Sequence, residues 1–156
     1  MRRLVIVLLL GVLVAVQAAQ AGLLPPPQRA EILKIVLPQF WGHARLPDGS
    51  VVEPVDEADR LAVPIDASLQ DKAFSAAEIS GLALWCGLPW EEHFKVLMAN
   101  TRAGGAQPRQ AAFVAVLHGF TMEFIKDLMA ARACDDDRRK KTQVMLTRST
   151  TLLQQK

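Results

Sequence analysis

Residues 74–134, FSAAEISGLALWCGLPWEEHFKVLMANTRAGGAQPRQAAFVAVLHGFTMEFIKDLMAARAC, decide the fold. They read as three helices in succession. Ser75 and Glu78 have the spacing of a capping box, in which each side chain satisfies a backbone donor near the other, so a first helix is expected to open there. Ile79, Leu82, Ala83 and Cys86 then share one face, and Gly87 stops the helix. Leu84 and Trp85 lie on the other side, so this helix is apolar nearly all round and belongs at the centre. Pro89 suits the start of a second helix, with Glu91 and Glu92 complementing its dipole and Trp90, Phe94, Leu97 and Thr101 forming its stripe. Gly104-Gly105 ends it. Pro108 starts the third and longest, with Phe113, Leu117, Phe120, Phe124 and Leu128 at helical spacing. Gly119 inside it signals a close helix approach or a bend, because glycine costs about 1 kcal/mol there relative to alanine.

The chain has two cysteines, Cys86 and Cys134, at the ends of the first and third helices. In an oxidising compartment two thiols in one small domain pair, and closing this loop contributes on the order of 4 kcal/mol by limiting the unfolded chain. The geometry carries a tension. If the third helix runs straight back along the first, it draws level with Cys86 near residue 122, and Cys134 overshoots by roughly 18 Å at 1.5 Å per residue. A disulfide needs its Cα atoms within about 7 Å. The third helix must therefore bend at Gly119, stop early or cross steeply for the bridge to form.

Upstream, Met1-Arg2-Arg3 is followed by the apolar run Leu4 to Val16 and by Ala19-Gln20-Ala21. A positive start, an apolar core shorter than the roughly 20 residues of a bilayer span and a small-x-small site are the parts of a secretory signal peptide. Cleavage is expected after Ala21. It removes Arg2 and Arg3, so 18 basic residues fall to 16 against 16 acidic, and the remaining 135 residues are neutral. Net charge then offers no case for a nucleic-acid partner or an anionic membrane surface. The expected location is the periplasm or outside the cell, with no stable membrane insertion once the leader is gone.

Four segments follow: residues 1–21 as leader, 22–74 as a Pro-rich N-terminal section, 75–134 as the helical core and 135–156 as a polar C-terminal helix or tail. In the second, Gly22 to Pro27 reads as extended and mobile, then a short apolar helix runs to Pro38, which ends or kinks it. Leu46-Pro47-Asp48-Gly49 is a tight-turn signal that leaves room for a short β-hairpin between Ala44-Arg45-Leu46 and Ser50-Val51-Val52. Leu61-Ala62-Val63 reads as another extended piece. In the last segment Asp135, Asp136 and Asp137 face Arg139, Lys140 and Lys141 at i, i+4, which suits a solvated helix, and the run Thr147 to Thr151 is expected to fray. The fold class is thus mainly α, a small domain of about four to five helices around one core.

Chemistry is sparse. His43, His93 and His118 have no metal-ligand spacing, so no metal and no cofactor is expected, with His118 partly buried and His93 at the surface. Nucleophile motifs and phosphate-binding glycine loops are absent. The acidic stretch Glu53, Asp56, Glu57, Asp59 lacks the pattern of a calcium loop. Candidate binding residues are Trp41 and His43, in an aromatic turn, and Trp85, whose place off the main face of its helix makes it either core filling beside the bridge or an exposed anchor. A chain with these features acts by contact: a non-catalytic binding or accessory protein of the cell envelope, with another envelope or secreted protein as partner. The alternative is a small periplasmic hydrolase using His43 and a carboxylate of residues 53–59.

Overall fold

The computed structural model describes residues 22–155, so the leader reading of 1–21 lies outside the described residues. Among the described residues six helices follow one another: α1 Pro26–Phe40, α2 Glu57–Leu61, α3 Ala67–Trp85, α4 Glu91–Ala103, α5 Pro108–Met129 and α6 Asp136–Gln154. The mainly helical class stands, with six helices among the described residues against the four to five expected; the addition is α2, in the acidic stretch read as a turn.

α3 begins earlier than the Ser75–Glu78 pattern suggests. The Asp66 carboxylate accepts from the Leu69 N–H at 2.8 Å and caps the helix there. Ser75 and Glu78 lie well inside it, and Glu78 turns toward α1 and does not cap anything. The division between segments at 74 and 75 accordingly falls within α3. Residues on both sides of it share one core, in which Ile32, Val36, Phe40 and Trp41 pack with Phe74, Leu97, Phe113, Val114 and Leu117.

α3 and α5 make the closest pairing. A Cβ on Gly81 would lie 2.6 Å from Ile125 Cβ and 2.7 Å from the Met122 carbonyl oxygen, so this glycine sets their separation. Gly119, read from the sequence as the point of close approach or bending, has nothing within 4 Å of a Cβ position, and α5 continues through it.

The N-terminal section is more ordered than its proline content implies. Leu24 is buried and the Leu23 N–H donates to Glu78 Oε2, so this stretch is anchored on α3 at these two residues while the Leu23 side chain and Pro25 are exposed. α1 carries Pro38 within its last turn and continues to Phe40. The Pro47-Asp48-Gly49 turn forms with Gly49 at φ 85°, and the ribbon it closes is one antiparallel bridge between Arg45 and Val51. The acidic stretch supplies α2, whose first turn is capped by Asp56, and Leu61 ends that helix instead of starting an extended piece. Asp59 also pairs with Arg109 of α5 at 2.7 Å, which ties the segment down.

α6 is neither a solvated helix alone nor a frayed tail. Its Thr142 and Leu146 are buried against α3 and α4, and Asn100 Nδ2 donates to the Leu153 carbonyl at 2.7 Å. The hydroxyls of Thr150 and Thr151 bond back to the carbonyls of Leu146 and Thr147, and the run stays helical to Gln154 against α4. Asp135 caps the helix and pairs with Arg138 at 2.8 Å; none of the three i, i+4 pairs comes within 4 Å.

Candidate functional site

Cys86 and Cys134 are joined, with Cα atoms 5.3 Å apart. The overshoot is resolved by an early stop: α5 ends at Met129, and Ala130 to Asp135 fold back to bring Cys134 beside the C-terminal end of α3. Cys134 therefore lies in the α5–α6 loop. Trp85 is half-buried next to it, and its indole N–H donates to the Arg132 carbonyl at 3.0 Å. The indole is a latch on the bridge-bearing loop.

Trp41 sits at the C-terminal end of α1, 4% exposed, edge-on to Phe40 with Arg109 over its face. Its indole N–H donates to the Arg60 carbonyl at 3.0 Å, so this side chain fixes α2 against α1. His43 follows at the exposed start of the ribbon and makes no ion pair with Glu53, Asp56, Glu57 or Asp59. No hydrogen bond or ring contact among the described residues joins Trp41 or His43 to Trp85.

Helix packing assembles what the sequence does not display. Ser80 of α3 lies 2.9 Å from His93 Nδ1 of α4 and 3.0 Å from His118 Nε2 of α5, and His93 Nε2 lies 2.8 Å from Ser149 Oγ of α6. One residue from each of four helices thus joins a single chain of hydrogen bonds, and both rings are 1% exposed. Trp90 and Phe94 cover the His118 ring. His93, expected at the surface, is inside because α6 covers this face of α4. Its partners stand 13 and 56 residues away, which no local pattern reveals.

A serine 2.8 Å from a histidine invites comparison with a nucleophile and its base. The electrostatics oppose it. Burial pushes the His93 ring down to about 4, and burial together with the neighbouring His93 does the same to His118. A base of that strength gives little driving force for removing a hydroxyl proton at neutral pH. The group orienting His93 is the Ser80 hydroxyl and not a carboxylate, so an imidazolium formed there lacks the stabilisation a triad supplies. The network is a neutral tie between helices.

A groove of about 490 Å³ lies open between the ribbon, α4 and α5. Leu46 and Pro47 of the ribbon, Met98 of α4, and Ala111, Ala112 and Ala115 of α5 line it, and the three alanines leave the space that larger residues would fill. Arg45 and Arg102 also line it, both exposed. Among the described residues neither is ion-paired. No three His, Cys, Asp or Glu side chains among the described residues converge as a metal site, and no described helix is long and apolar enough to cross a membrane.

Comparison of the chain with family models, with curated proteins and with solved structures finds no match.

Proposed function

We propose that this is an exported, non-catalytic binding protein of the cell envelope, and that its contact surface is the groove between the ribbon, α4 and α5. The single supporting observation is an apolar trough flanked by two exposed arginines, neither of which is ion-paired among the described residues. Apolar area supplies affinity, while Arg45 and Arg102 select a partner segment that carries carboxylates, since guanidinium groups bind carboxylates bidentately. The occupant is an acidic, apolar segment of another exported protein. The disulfide fits export, because such bonds persist in oxidising compartments.

The test combines capture with variants. The protein is crosslinked in its own envelope fraction, and partners are identified by mass. A stoichiometric protein bound by the unaltered chain should be lost when Arg45→Glu and Arg102→Glu are combined and kept in His43→Ala. Capture that ignores the charge reversal, a bound small molecule with no protein partner, or an activity lost in folded His43→Ala would each overturn the reading.

A further inference from the structure

α6 has an outer face that neither the core nor the groove uses. Thr142 and Leu146 are buried against the bundle, with Ser149 and Leu153 half-buried on the same side. Opposite them Lys141, Val144, Arg148 and Leu152 follow at spacings of three and four, which makes one stripe about 16 Å long. Val144 is 67% and Leu152 56% exposed, and exposed Lys140 and Met145 stand beside the stripe. Among the described residues Lys140, Lys141 and Arg148 make no ion pair. The acids of α6, Asp136 and Asp137, lie in its first turn, where they complement the helix dipole; Asp137 heads the stripe, and no acid follows it. The neutral total of the chain hides this local excess, because an exposed charge acts over about 8 Å at physiological ionic strength. Exposed cations or exposed aliphatics alone are ordinary on a surface. Here they alternate along a single stripe.

We propose that the outer stripe of α6 binds an anionic lipid surface. Lys140, Lys141 and Arg148 place their charges among the lipid phosphates, while Val144 and Leu152 enter the boundary of the acyl chains and the cationic side chains lay their stems along it. The charges of α6 keep the helix out of the hydrocarbon, so contact stops at the interface. The shape and chemistry of the stripe select this partner. A convex helix face gives a protein partner no hollow to fill, and a second copy of the stripe would set cations against cations. A nucleic-acid backbone would use the cations and leave Val144 and Leu152 in water. The proposal is independent of the groove, whose lining shares no residue with α6.

A chain of residues 22–156 holds every described helix and both cysteines, and it lacks the apolar run Leu4 to Val16, which would bind lipid by itself. It is floated at high lipid concentration with vesicles of phosphatidylcholine alone, and with vesicles of phosphatidylcholine and phosphatidylglycerol in equal parts. The chain should bind the anionic vesicles only, and should be released when salt shortens the Debye length to about 3 Å. Lys141→Glu combined with Arg148→Glu should lower partitioning at least 25-fold, at roughly fivefold per cation. Val144→Ser combined with Leu152→Ser should lower it severalfold at low salt. Lys34→Glu combined with Lys95→Glu makes the same change in net charge at exposed positions of α1 and α4, and should leave partitioning unaltered. Circular dichroism checks that each variant keeps its helices. Equal binding to neutral vesicles, no binding at low salt, or an equal loss in the α1 and α4 variant overturns the proposal. So does tighter binding to a DNA duplex than to the anionic vesicles, unaffected by the two serines, which would assign the stripe to a polyanion.

Discussion

Ser80 has one hydroxyl and serves two imidazoles. If it donates to His118, His93 must donate to it and accept from Ser149; if it donates to His93, every bond reverses. Both arrangements keep the rings neutral, and charging both rings leaves the Ser80 hydrogen without an acceptor. Ser80→Ala removes a partner from each buried ring, and urea denaturation at neutral pH should show a loss of about 1–3 kcal/mol. Acid acts on the same network. Each ring titrates near 4 when folded and near 6.5 when unfolded, so between those values the unfolded chain holds more protons. Stability is complete above pH 6.5 and falls as the pH drops toward 4, by up to about 3 kcal/mol for either ring taken alone. Melting curves collected across that range in His93→Phe should show a shallower acid slope than in the unaltered protein. An equal slope would mean that some other group sets it.

At the scale of elements, α3 and α5 differ in what their glycines do. Gly81→Ala must push Ile125 and the Met122 carbonyl away, and should destabilise by about 1–3 kcal/mol, as overpacking does. Gly119→Ala meets open space in the middle of a continuous helix and should stabilise by up to about 1 kcal/mol. Thermal denaturation of the two variants, measured together, checks both signs. The helix stripes were legible in the chain because apolar spacing of three and four residues is a local property. Which glycine lets two helices touch was not, since either glycine satisfies the same pattern and only the facing residues distinguish them. The start of α3 was misplaced for a related reason: Ser75 and Glu78 form a valid capping pattern, but Asp66 caps first and the intervening residues carry the helix forward.

Across the whole molecule, the bridge closes a loop of 48 residues and holds the turn after α5 onto α3, with Trp85 bonded to the same loop. Replacing both cysteines by alanine should lower stability by at most about 4 kcal/mol in the chain-entropy model. Chemical denaturation checks the size. Proteolysis should locate the first opening between Ala130 and Asp135. Binding at the groove should survive this change in any fraction still folded, because Arg45, Arg102 and the α5 alanines lie outside the Ala130–Asp135 turn that the bridge pins. The candidate site was the least legible feature in the chain. Trp41 and Trp85 stood out by residue type, yet one fixes α2 and the other fixes the bridge loop. Arg45, Arg102 and Ala112 carry no local signal, because their relation exists only once the ribbon is laid beside α4 and α5.

By itself the sequence determined the helical class, the tight turn at Gly49 and that Cys86 has no candidate partner but Cys134; that the two meet was decided by the early stop of α5. The first three follow from backbone geometry, local periodicity or the absence of a competing thiol. Tertiary structure alone decided that His93 is buried, that Glu78 serves α1, that Gly81 sets the central helix contact and that two arginines flank one groove. Those properties depend on residues tens of positions apart, and apolar burial brings such residues together without leaving a mark in the local order of the chain.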